Sequence, residues 1–131
     1  MNQELGKKPI RSFTDLDAWK EGHRLVLAIY SVTKNFPKEE QFGLTNQLRR
    51  AAVSITSNIA EGFSRNSFLE KVQFYSTALG STTETQNQLL IARDVNYLSA
   101  GKFQEIALQT VKVNKIINGL IKKSKTMTHN S

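Results

Sequence analysis

Four stretches of this chain place apolar residues at intervals of three and four, and that rhythm limits the fold more than any other feature. Leu16, Trp19, His23, Val26, Tyr30 and Thr33 form the first series. Leu44, Leu48, Ala51, Ile55, Ile59 and Gly62 form the second. The third runs Phe68, Val72, Tyr75, Leu79, Thr82, Gln86 and Leu89, and the fourth Phe103, Ile106, Thr110, Val113, Ile117 and Leu120. Such spacing keeps side chains on one face of a helix. No alternating run with a two-residue hairpin turn competes with it.

The punctuation between the series agrees. Pro9 and Pro37 both lie outside them, and Pro37 disfavours helical geometry in Phe36. Thr14 and Asp15 suit a helix start, as do Glu39 and Glu40. Ser67 and Glu70 have capping-box spacing, and Ser99 is a candidate cap. Gly62 is a plausible stop. Gly80-Ser81-Thr82-Thr83 is weak helix sequence, but the register persists across it, and small residues there favour close approach of another helix. We therefore expect an all-α domain spanning residues 1–131, with helices over about 14–35, 39–63, 67–93 and 99–122 and a disordered tail at 123–131. Short links make the helices antiparallel, up-down-up-down.

Several function classes lose support. The chain has no cysteine, which excludes disulfides and thiolate metal sites. No apolar run approaches the roughly 20 residues of a membrane span, and Met1 to Phe13 is polar, so a cytoplasmic protein without membrane contact is expected. Of the two histidines, His129 lies in the expected tail and His23 on an apolar stripe, where a structural role is the default. No P-loop, HExxH, GxSxG or GxGxxG pattern occurs. The expectation is no enzyme, no metal and no cofactor. An enzyme would need a site around Arg50, Asn58, Glu61 and His23, which no nucleophile or metal set accompanies.

Charge points elsewhere. Eighteen Lys and Arg against 11 Asp and Glu give +7, and no acid follows Glu105. A basic balance favours acidic partners, nucleic acid above all. Arg49, Arg65, Arg93, Lys112, Lys115, Lys122 and Lys123 are the candidate phosphate contacts, none of them a base reader. Beside the second apolar stripe runs a polar line, Gln47, Arg50, Ser54, Asn58 and Glu61. Ser and Asn are poor interior helix residues. Their recurrence suggests a buried seam against another helix or subunit, with Arg49 pointing outward. Replacing Asn58 and Glu61 is then expected to cost more than replacing the exposed Lys38 or Lys71.

Phe36-Pro37, Glu40, Phe42-Gly43-Leu44, Gln47-Leu48-Arg49-Arg50-Ala51-Ala52, Ser54-Ile55 and Asn58-Ile59-Ala60-Glu61-Gly62 resemble the signature of the 23S rRNA intervening-sequence protein family, also called the four-helix bundle protein family. Phe13, Leu16, Trp19 and Tyr30 fit its opening, and Phe74, Gly80-Ser81, Glu84, Leu89 and Tyr97-Leu98 its third helix and following turn. The resemblance runs from about Phe13 to Leu120. It implies a bundle that assembles into a homopentameric ring without enzyme activity. Related barrel proteins are accessory subunits of diversity-generating retroelements that bind a reverse transcriptase and nucleic acid. The resemblance thus offers two roles, an RNA- or DNA-binding ring or a scaffold docking a protein such as a reverse transcriptase.

Overall fold

The computed structural model describes residues 9–130, except for the side chains of 128–130. The His129 side chain and residue 131 therefore lie outside the described residues. The described residues form four helices and no strand: α1 (Asp17–Thr33), α2 (Leu44–Ser64), α3 (Phe68–Asp94) and α4 (Ala100–Asn130). Single 3-10 turns at Phe13–Asp15 and Lys38–Glu40 precede α1 and α2. The two expected long starts, at 14 and 39, are thus irregular turns followed by shorter helices.

Contacts link α1 with α2, α2 with α3, α3 with α4 and α4 with α1, and none of that extent crosses a diagonal. Residue pairs fix the directions. Ser54 meets Ser81, and Gly62 lies against Tyr75, so α2 and α3 run opposite ways. Gln86 bonds Thr110 while Arg93 covers Phe103, reversing α4 against α3. Gly22 faces Thr56 and Thr33 meets Arg49, reversing α2 against α1. The result is an antiparallel bundle around Leu25, Ile29, Leu48, Ile55, Ile59, Tyr75, Leu89, Ile106, Val113 and Ile117.

Local chemistry explains the element ends. Ser12, not Thr14, caps the first turn, in a reciprocal box with Asp15. Ser67 accepts from the Glu70 N–H and starts α3. Ser99 accepts from the Lys102 N–H at the start of α4. The α3–α4 turn is a Schellman motif. Asn96 takes φ 68°, the Tyr97 N–H reaches Ala92 O at 2.8 Å, and the Asn96 N–H reaches Arg93 O at 3.0 Å. Asn tolerates this left-handed geometry better than most side chains.

Four expectations need correction. The buried face of α1 is centred on Leu25, Ile29 and Val32, while Tyr30 is exposed and His23 stacks on Trp19 at 4.6 Å. The aromatic series drew the expected stripe toward one flank of the helix. Gly62 does not end α2; it is buried inside the helix, where a Cβ would meet the Tyr75 ring at 2.7 Å. Gly80 is exposed and a Cβ there would meet nothing within 4 Å, so the close approach in mid-α3 belongs to Ser81. Finally, the expected tail at 123–131 is helical through Asn130, because Ile121 and Ser124 continue the buried spacing of Ile117. Ser124 donates to Leu120 O at 2.9 Å.

Candidate nucleic-acid interface

The basic candidates fall into three settings. On α4, Lys115, Lys122 and Lys123 are exposed and have no ion pair among the described residues; Lys125 joins them. Lys115 and Lys122 stand two turns apart, about 10 Å along the axis. Lys112 is different. Its Nζ lies 3.3 Å from Oε1 of Glu21, a buried carboxylate that also pairs with Arg24. That cluster ties α4 to α1.

The arginines at the bundle ends are partly engaged within the chain. Arg65 pairs with Glu61 at 3.0 Å and lies over the Phe74 ring at 4.5 Å. Arg93 pairs with Asp94 at 2.8 Å and lies over Phe103 at 4.8 Å. The Asp94 carboxylate raises the Arg93 pKa, chiefly by hydrogen bonding, and the same bond lowers that of Asp94. Both guanidiniums stay partly exposed, so each could also meet a phosphate, at the cost of competing with a carboxylate.

Arg49 and Arg50 reverse the expected roles. Arg50 is exposed and unpaired among the described residues. Arg49 is half-buried: its Nε donates to Thr33 Oγ1 at 2.8 Å, and its guanidinium sits over the Tyr30 ring at 4.6 Å. The Thr33 hydroxyl donates to Ile29 O at 2.7 Å, which leaves its oxygen free to accept from Arg49. Both arginines line a shallow cleft with Tyr30, Asn46 and Ser57. Since α2 lies diagonally across from α4, this cleft and the outer lysines of α4 face opposite sides of the bundle. The seven candidates are therefore not one patch.

Within the single chain, only the middle of the polar line on α2 packs against another helix. Ser54 Oγ meets Ser81 Oγ at 2.8 Å, and Asn58 Nδ2 donates to Ser54 O at 2.8 Å and Ser54 Oγ at 3.1 Å. Gln47, Arg50 and Glu61 are exposed on the single chain. Glu61 orients Arg65 and not Arg50. No hydrogen bond or ion pair among the described residues joins His23 to Arg50, Asn58 or Glu61.

Lys71, expected to be exposed, is half-buried. Its Nζ donates to Phe63 O at 2.6 Å and lies 3.4 Å from Gly62 O, capping the end of α2 from α3. Burial lowers its pKa. Lys125 belongs to the acid-free run of lysines after Glu105. Asn46 carries no such signal and gains meaning only beside Arg49 and Arg50.

No helix among the described residues is long and apolar enough to cross a membrane. None of their His, Asp and Glu side chains gather in threes that could hold a metal ion. The family model described as 23S rRNA-intervening sequence protein matches residues 14–119. The chain belongs to this family. A solved structure from Bacteroides thetaiotaomicron VPI-5482, described as a protein with unknown function from the S23 ribosomal protein family, has the same fold. It superposes with a TM-score of 0.75 at 22% identity, covering 80% of this chain and 95% of that one. Comparison with curated proteins gives no match. The 23S rRNA-intervening sequence protein match takes in all of α1, α2 and α3 and stops at Gly119, before the last lysines of α4.

Proposed function

We propose that this member of the 23S rRNA-intervening sequence protein family is a non-enzymatic, cytoplasmic binding protein. It assembles as a homopentamer and holds RNA or other nucleic acid against the outer face of α4. The observation that carries this reading is the row of exposed, unpaired lysines at 115, 122, 123 and 125 on a helix with no acid after Glu105. Lysine ammonium groups without internal carboxylate partners are free to replace the counterions of a phosphate backbone. Such contacts are sequence-blind, and repetition around a ring would multiply them. The family name, with its reference to 23S rRNA, supports an RNA partner over others.

The test is a salt series of binding to structured RNA, duplex DNA and heparin, with the mass in solution measured alongside. The reading expects RNA binding that outlasts the other two at physiological salt, in an assembly of five. Replacing Lys115, Lys122 and Lys123 with Gln together should lower the slope of log affinity against log salt by about 2 to 3. Equal binding and joint release of all three ligands at modest salt would overturn it.

A second reading has its own observation. Leu108 and Val111 are 60% and 42% exposed on α4. Apolar side chains on the lysine-bearing helix suit docking onto a protein such as a reverse transcriptase. Retained partner binding at high salt, lost in Leu108→Ser, would favour that scaffold role.

A further inference from the structure

We propose that the cleft between α1 and α2 at Arg49 and Arg50 is a built phosphate site, separate from the lysine face of α4. The inference extends the nucleic-acid reading to a second surface but does not depend on α4. It rests on four observations.

First, the Arg49 guanidinium is fixed before any ligand arrives. Thr33 Oγ1 holds its Nε at 2.8 Å and Tyr30 supports its plane at 4.6 Å, while its two Nη groups make no hydrogen bond among the described residues. A surface arginine loses rotamer freedom when it binds; one already held by two neighbours loses less. Second, Arg50 lines the same cleft and has no carboxylate partner. Of the six arginines placed by the structure, Arg24, Arg65 and Arg93 each pair with an acid. Third, Asn46 and Ser57 also line the cleft, and neither side chain has a hydrogen-bond partner among the described residues. The Asn46 amide, one turn from both arginines, adds a neutral donor to two charged forks, while Ser57 lies about three turns from Asn46 at the far end of the cleft. Fourth, no lining residue is acidic. A site with convergent donors and no internal anion is matched by an external one.

Phosphate fits this set better than a carboxylate. Its oxygens point in several directions and can engage both guanidiniums and the Asn46 amide together, whereas a carboxylate offers two coplanar oxygens that one arginine satisfies. The phosphate can be a terminal monoester or an internal diester of a nucleic acid strand. The arms of the experiment separate them.

The full-length protein is labelled with 15N and titrated with inorganic phosphate, then with a 5′-phosphorylated tetranucleotide and its 5′-hydroxyl counterpart. The expected result is saturable shifts of the Asn46 side-chain amide and of the Arg49 and Arg50 Nε–H. Arg50→Gln should weaken phosphate binding about tenfold, the loss expected for a charged hydrogen bond. Lys38→Gln, an exposed charge outside both surfaces, should leave it unchanged. A stronger effect of the 5′-phosphorylated strand assigns the site to chain ends, and equal effects assign it to the backbone. Because Arg49 also packs against Tyr30, Arg50→Gln is the deciding variant, and an unchanged melting temperature shows that it folds. Two outcomes would overturn the proposal. One is no saturable shift at Asn46, Arg49 or Arg50 in phosphate. The other is an Arg50→Gln variant that changes the mass of the assembly and leaves phosphate binding intact, which would make Arg50 a contact between subunits. Loss of RNA binding on α4 with the cleft shifts retained would refute the α4 reading alone.

Discussion

Ser54 and Ser81 bring their hydroxyl oxygens to 2.8 Å across the α2–α3 interface, and Asn58 closes on the same oxygen of Ser54 from one turn further along α2. Each group is half-buried, so removing its neighbour takes away a protein partner that water replaces only in part. This small network is the part of the polar line on α2 that is packed within the single chain.

The network is expected to behave as a unit. Ser54→Ala and Ser81→Ala should each cost about 1 kcal/mol, and the double variant less than both combined. Asn58→Ala should cost about 1 kcal/mol as well. Glu61→Ala, which loses only an exposed ion pair with Arg65, should lie within about 0.5 kcal/mol of the parent. Denaturant melts of the five variants check this, with sedimentation to follow assembly. Full additivity at Ser54 and Ser81 would refute the shared bond.

Two glycines should respond in opposite directions. Gly62→Ala forces a Cβ to 2.7 Å from Tyr75 Cε1 and 3.0 Å from Phe74 Cβ, so a loss of about 1 to 3 kcal/mol is expected. Gly80→Ala adds a methyl to open space in a helix and should stabilise by about 0.5 to 1 kcal/mol. Thermal unfolding of both variants measures the contrast.

Lys71 and Lys38 should separate. Lys71→Met keeps the aliphatic stem but strips the cap from Gly62 O and Phe63 O, with an expected cost of about 1 kcal/mol. Lys38→Met removes an exposed charge and should leave the melting temperature nearly unchanged. An equal response at both positions would show that the cap contributes nothing.

Acid should weaken the link between the α1–α2 and α3–α4 connections. Glu40 Oε1 accepts from the Leu44 N–H at 3.0 Å, and Glu40 Oε2 accepts from Tyr97 Oη at 2.9 Å. The Leu44 bond first, and the Tyr97 bond second, hold the Glu40 pKa below the usual glutamate value. A carboxyl with a lowered folded pKa stabilises the fold above its unfolded pKa and loses that contribution as pH falls through the folded value. Stability should therefore decline below about pH 4.5 in the parent and less steeply in Glu40→Gln. Tyr97 works in the other sense. Its hydrogen bond to Glu40 raises its pKa, so its contribution persists below the ordinary tyrosine pKa and fades as pH rises through the folded one. Tyr97→Phe should remove that alkaline decline. Parallel pH–stability curves for parent and variants would refute the link.

The four helices, their order and the Ser67 and Ser99 caps were legible in the sequence. Helical period and capping chemistry are local, and a stripe such as Leu48, Ala51, Ile55 and Ile59 finds its core whichever helices surround it. The family was legible too, because its long motif on α2 is linear in the chain. What the sequence left undecided was which neighbour flanks each helix. Arg49 and Arg50 stand about 100° apart on α2, and nothing local says which of them meets Thr33 and Tyr30 of α1. The same holds for Lys71, whose reach to Phe63 O depends on the α2–α3 turn. Lys112 is held by Glu21 only because α4 packs beside α1, whereas Lys115 and Lys122 on the outer face are not. A charge becomes a cap, a clamp or a free contact according to what lies within about 4 Å of it. Those distances join residues far apart in the chain, so only the packed bundle could assign them.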